Sequence, residues 1–366
     1  MRKIRFTLLF LAGIYITAFS QEFLYKAGLH TFFDNNEFDG CPVGDSQTMA
    51  GVRAAPQIGL GWDEKHRVFI GVDAMHEFGS DKEAVYWDPI AYYEFDGEPF
   101  RFYMGAFPRK LALNKYPLFF FQDSIRNYRP TMTGIFWEYS SKRGNYMNAW
   151  LDWTSRQTYT VRETFFVGLS GRYNWKVLYG QNFSYMHHFA GVMDPEKHTP
   201  VYDEVRMLTS VGIDLSSKTP FDELDINAGW AVGIDRNRGD DDGWHASPGF
   251  LSQARIEYRG LGIFNTYYRG NAQGKFYDSF GTQLYWGDRL YRATSYNRLD
   301  SYIYFVKTDV VKLKLIYSLH FVKEGMFHEQ QFYATFDLDN LKKKKTGKKY
   351  QYLWDNWFNR EEMNHE

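Results

Sequence analysis

Along most of the chain, apolar and polar positions alternate one by one. Val52, Ala54, Pro56, Ile58, Leu60 and Trp62 interleave with Arg53, Ala55, Gln57, Gly59 and Gly61. Val68, Ile70, Val72 and Ala74 do the same with Phe69, Gly71, Asp73 and Met75, and Leu224 to Ile234 repeats the pattern against Asp225 to Asp235. A period of two sends the two sets to opposite sides of an extended strand. The alternation predicts about sixteen strands: 23–33, 48–62, 67–78, 84–95, 99–108, 131–140, 146–155, 161–172, 175–187, 204–215, 223–235, 249–259, 261–270, 299–307, 311–322 and 327–338. Tight links such as Asp63–His66, Asp96–Glu98, Tyr173–Asn174 and Thr308–Val310 alternate with long ones at 34–47, 108–130, 188–203, 236–248 and 271–298. Tight turns at one end and long loops at the other describe an up-and-down antiparallel β-barrel that crosses a membrane.

Two features separate this expectation from a soluble sandwich. The strands run to roughly 10–12 residues, the length a tilted transmembrane strand needs. The polar side also carries full charges at mid-strand, which a water-filled lumen hydrates and a closed core penalises. An eighteen-strand version, with an extra hairpin at 281–297, is the competing count, and Tyr350–Trp354 is the alternative closing strand.

Composition agrees. Phe 32, Tyr 28 and Trp 11 make the chain 19% aromatic, yet its mean hydropathy is −0.51. No apolar run past residue 20 is long enough for a membrane helix. Residues 1–20 read as a signal peptide: Arg2, Lys3 and Arg5, an apolar core, then Ala18 and Ser20 at the cut. The chain thus divides into a signal peptide at 1–20, a barrel at 21–338, and a basic and aromatic periplasmic tail at 339–366. With 43 Lys+Arg against 44 Asp+Glu there is no electrostatic case for nucleic acid. The lone Cys41 excludes a disulfide framework and a thiolate metal site.

On strand pattern, length and loop alternation, the chain resembles the sixteen- to eighteen-stranded general porins and the porin-like barrels of Bacteroidota outer membranes. The resemblance implies outer-membrane location and lipid contact, passive diffusion of small hydrophilic solutes, and a homotrimer. It also implies that the third long loop folds into the pore. Here that loop is Pro108–Pro130, with three prolines, the cations Arg109, Lys110, Lys115, Arg126 and Arg129, the acid Asp123, and the aromatics Tyr116 and Phe119–Phe121. Tyr116 and Phe120 offer ring faces to sugars in such a constriction. The chain departs from porins in lacking a terminal Phe on its last strand.

Arg53, Asp73, Arg101, Tyr103, Glu138, Asp152, Arg162, Arg172, Arg255, Glu257 and Arg259 are expected to face the lumen, where opposed cations and carboxylates set selectivity. The acidic run Asp235–His245 matches no calcium loop. A surface hydrolase is the alternative function, with His187, His188, Asp194, Glu196 and His198 as its cluster. No nucleophilic serine context accompanies them. A closed barrel serving adhesion or assembly is a third class. The expectation is a channel rather than an enzyme, without cofactor or metal.

Overall fold

The computed structural model describes residues 21–80, 85–197, 199–240, 243–341 and 351–354. The signal segment 1–20, most of the 339–366 tail, and His198 lie outside the described residues. Sixteen strands follow one another as a meander: β1 (Glu22–Glu37), β2 (Gln47–Trp62), β3 (His66–Glu77), β4 (Val85–Gly97), β5 (Phe100–Pro108), β6 (Thr131–Ser140), β7 (Tyr146–Ser155), β8 (Thr164–Trp175), β9 (Leu178–Phe189), β10 (Tyr202–Asp214), β11 (Glu223–Asn237), β12 (His245–Tyr258), β13 (Leu261–Gly270), β14 (Ser295–Lys307), β15 (Val311–Val322) and β16 (Gly325–Asp339). Each strand pairs with its neighbours in sequence. The sheet closes when β1 pairs with β16 from Lys26 opposite Asp339 to Glu37 opposite His328.

Closure leaves no sheet edge, as hydrocarbon requires. The apolar set faces out: Val211 is 71% and Trp230 65% exposed. The side chains between them, such as Arg206, Leu208 and Ala231, are fully buried. A soluble sandwich has the opposite sidedness. β1 begins and β16 ends at the tight-turn end, here called inner, and the long links crown the opposite, outer end.

Sixteen strands stand as expected, three placements change, and the competing count falls away. The β8–β9 turn falls at Lys176, which adopts a φ of 59°, rather than at Tyr173–Asn174. Asn174 is held in the strand because its backbone N–H donates to Asn145 Oδ1 at 2.8 Å and its amide to Gly144 O at 2.9 Å. That shift puts Arg162 ahead of β8, in the outer link, where Nη1 donates to Pro200 O at 2.9 Å. Arg259 is likewise outside its strand, in a turn at φ 49°, with its N–H on Asp222 Oδ2 at 2.7 Å. Finally, 281–297 holds short 3-10 turns before β14 and no extra hairpin, and 351–354 is a turn and no strand. Tyr352 instead accepts a hydrogen bond from Lys307 N at 2.5 Å.

Candidate functional site

Two outer links enter the barrel. The first, 109–130, carries the short helices α1 (Lys110–Leu113) and α2 (Asp123–Tyr128). The second, 271–294, carries α3 (Tyr277–Phe280) and 3-10 turns. They clasp each other inside the lumen: Gln122 N donates to Trp286 O at 2.9 Å and Asp288 N to Leu118 O at 2.8 Å. Gly287 permits this approach, since a Cβ there would lie 2.5 Å from Phe119 O.

On the side of β7 to β10 the contact is aromatic. Phe119 meets Tyr291 edge-on at 5.2 Å, Tyr116 meets Phe183 at 5.1 Å, and Trp286 lies 4.6 Å from Phe166. Phe119, Phe120 and Phe166 are fully buried. The wall accommodates large rings because Gly168 leaves room: a Cβ there would overlap the Trp150 ring at 2.2 Å. Tyr116 hydroxyl accepts from Trp150 Nε1 at 2.8 Å and donates to Leu169 O at 3.0 Å, and its burial holds the phenol above its ordinary range. The water-filled lumen expected from the polar pattern is, in its outer half, a packed aromatic core. Phe119–Phe121 and Leu284–Trp286 have no other apolar surface to cover, and burying each large ring contributes roughly 1.5–3 kcal/mol.

The cations of 109–130 are mostly engaged with the wall. Arg109 Nη1 binds Asp152 at 2.5 Å and its Nε donates to Arg129 O at 2.7 Å. Lys110 reaches Asp337 at 2.5 Å. Lys115 lies 3.8 Å from Glu138 and over the Tyr146 ring; burial, partly offset by Glu138, lowers its pKa. Arg126 donates to Tyr116 O at 2.7 Å, and Arg129 lies over Trp286. The wall charges pair as well: Arg53 with Asp73 at 2.7 Å, Arg101 with Glu138, Arg172 with Asp214 at 3.2 Å, Arg255 with Glu223 at 3.1 Å, and Glu257 with Lys307. Tyr103 is buried against Phe136 at 5.6 Å.

The histidine cluster does not assemble. His187 points inward, stacked on Phe166 at 3.8 Å, with Nδ1 donating to Leu284 O at 2.7 Å. His188 points the other way, to Asp203 at 3.1 Å, which Arg238 also holds. Neighbouring residues on one strand face opposite sides, so these two rings anchor a loop and a rim.

On the other side of the plug, toward β14, β15, β16 and β1, a cavity of about 400 Å³ opens in the outer half. Three carboxylates converge on one amide there. Gln331 Nε2 donates to Asp34 Oδ2 at 3.1 Å, Asp123 Oδ2 at 3.2 Å and Glu329 Oε1 at 3.1 Å. Glu329 Oε2 faces Arg298 Nη2 at 3.0 Å and His320 Nε2 at 3.1 Å. Arg298 Nε binds Asp300 at 2.6 Å, which accepts from Ser318 at 2.6 Å. The second nitrogen of His320 meets Tyr296 hydroxyl at 2.9 Å, and that hydroxyl lies 3.2 Å from Asp288 Oδ2. Burial pushes the Asp288 carboxyl up, with Arg298 pulling the other way. Asn36 lines the same cavity, its amide making only a 3.4 Å contact with Asp34. Of the residues expected to matter, Asp123 alone belongs to this carboxylate set. Asp34, Asn36 and Arg298 were unmarked because they fell in expected links, and the others because each strand contributes just one polar pair. No group of metal-ligating side chains is found among the described residues.

The family model described as lipid A 3'-O-deacylase-type matches residues 17–353. The chain belongs to the lipid A 3'-O-deacylase-type family. Membership overturns the expectation of a non-enzyme, because the family is described by an enzymatic activity. Nothing among curated proteins matches the chain. Among solved structures, a loop-deletion mutant of OmpT, an outer membrane protein of Vibrio cholerae, is 9% identical with a TM-score of 0.53, over 87% of this chain and 100% of that one. OpdK of Pseudomonas aeruginosa is 9% identical with a TM-score of 0.45, over 87% and 99%; Salmonella typhi OmpF in complex with daunomycin is 10% identical at 0.49, over 87% and 97%. At such identity, the first likeness shows a shared fold: this family member has the β-barrel fold of outer-membrane proteins.

Proposed function

We propose that this deacylase-type barrel hydrolyses an acyl ester of a lipid A-like glycolipid at the outer end of the barrel, in the cavity bounded by Asp34, Asp123, Arg298, His320 and Glu329. The convergence of three carboxylates, a guanidinium and an imidazole beside a cavity of about 400 Å³ supports the reading, together with the family. Asp123 is the most open of the three acids, with its side chain 18% exposed, and so serves as general base. It takes a proton from water as the water oxygen bonds the ester carbonyl carbon. The Asn36 amide donates to the developing oxyanion. The carbonyl–alkoxy bond then breaks, the proton passes to the departing sugar oxygen, and a free fatty acid leaves. Arg298 and Gln331 hold the carboxylates in register, and His320 fixes Glu329. Mass spectrometry of lipid A incubated with the refolded protein tests this: loss of one acyl chain is expected, and its absence would refute the reading.

A diffusion channel with 109–130 as its constriction is the second reading. It is favoured by the ion-paired lining of the inner half around Arg101, Arg172, Arg255 and Lys307, where Tyr179 and Phe264 lie flat under the Arg172 and Arg255 guanidinium groups. The aromatic plug opposes it. Open steps in a planar bilayer that enlarge on deletion of 109–129 would support it; a silent barrel would remove it.

A further inference from the structure

The outer rim is uneven. β15 and β16 are joined by Lys323–Glu324 alone, with Val322 opposite Gly325. Every other outer link is longer, at 38–46, 78–84, 109–130, 156–163, 190–201, 238–244 and 271–294. Across the barrel the rim is tall and interlocked. Gln157 Nε2 donates to Gly191 O at 2.9 Å, Met193 N to Thr158 O at 2.9 Å, and Arg162 reaches Pro200. The low hairpin coincides with the carboxylate cavity. His320 precedes the end of β15 by two residues and Glu329 follows the start of β16 by four, which at about 3.3 Å per residue puts both within roughly 7–13 Å of the tip. The outward side of the hairpin exposes Tyr317, Phe321 and Met326 toward the tip, with His328, bonded to the Tyr317 hydroxyl at 2.6 Å, as the polar group among them and Gln330 one pair further down.

We propose that the glycolipid enters sideways from the outer leaflet over the β15–β16 hairpin. Its acyl chains stay against Tyr317, Phe321 and Met326 while the ester-bearing sugar crosses Lys323–Glu324 into the cavity. The low rim thus admits lipid already in the membrane in preference to soluble esters arriving from above. The inference rests on the hydrolase reading and adds to it a direction of approach. Apolar chains that never leave hydrocarbon incur no desolvation cost on binding, which is what a sideways route provides.

Insertion of Gly-Ser-Asn-Gly between Lys323 and Glu324 raises this wall. The expected result is a fall of about tenfold or more in hydrolysis of bilayer lipid A, with hydrolysis of the same lipid in detergent micelles kept within about twofold. The same insertion between Gly239 and Asp240, in the β11–β12 link a quarter of the way round the rim, is expected to change neither. Met326→Asp places a charge on the path without altering length and is expected to give the same selective loss. Heat-modifiable electrophoretic mobility establishes that each variant is folded. Equal losses in both media, or no loss in either, overturn the sideways route while leaving the hydrolase reading standing. An unmodified protein inactive in both media overturns the two together.

Discussion

The two sides of the plug differ in kind. Toward β7–β10, the inserted links meet the wall through rings, and even His187 is reduced to a single bond with a backbone carbonyl. Toward β14–β1, the same two links meet carboxylates, a guanidinium and a cavity. Rings packed edge-on resist displacement and exclude water, whereas the polar side keeps space and charge for a ligand. One side fixes the insert, and the other uses the position so fixed.

The largest effect should separate the two sides by activity. Asp123→Asn is expected to lower acyl-ester hydrolysis by about 10²–10⁴-fold with the barrel still folded; fatty-acid release by mass spectrometry would show it. Retained activity would move the chemistry elsewhere. Next, Trp286→Ala on the aromatic side should destabilise the fold by roughly 3–5 kcal/mol, measured by urea unfolding in detergent or lipid. A neutral result would mean that the ring packing is dispensable.

A smaller effect concerns Asp288, which links the sides. Its raised pKa means that the folded state holds the proton more tightly than the unfolded state does, so stability from this group is greatest at low pH and is lost as pH rises through the folded value. Asp288→Asn, which keeps an oxygen for Leu290 N, should flatten that dependence and raise the unfolding midpoint chiefly on the alkaline side. A parallel downward shift at every pH would contradict this. The smallest effect is expected from Arg255→Ala in the inner half, at about 0–1 kcal/mol, since its pair with Glu223 is well hydrated.

The strands were legible because hydrocarbon on one side and polar lining on the other impose alternation along their whole length. Strands β6, β7, β13 and β15 have the expected ends. Arg162 and Arg259 were misplaced because turn position depends on left-handed residues such as Lys176, which periodicity does not reveal. The inward course of the third long loop followed from the resemblance to porins, but the alternation could not show that Phe119–Phe121 would find partners there and dry the lumen. The site was hidden for a different reason. Asp34 and Asn36, Arg298 and Asp300, Ser318 and His320, and Glu329 and Gln331 are each two residues apart on the inward side of a strand. Asp34, Asn36 and Arg298 fell in the expected links at 34–47 and 271–298, because β1 and β14 run further than the alternation shows, and the rest look like ordinary polar lining. Four such pairs on strands that become neighbours after closure formed the available signal.

The seam between β1 and β16 has a consequence for timing. Asp34 and Glu329 sit on the first and last strands made, so the carboxylate set is complete only after the ends of the chain have met. A nascent or half-inserted polypeptide holds the parts separately, and the carboxylates come together only in the finished cylinder.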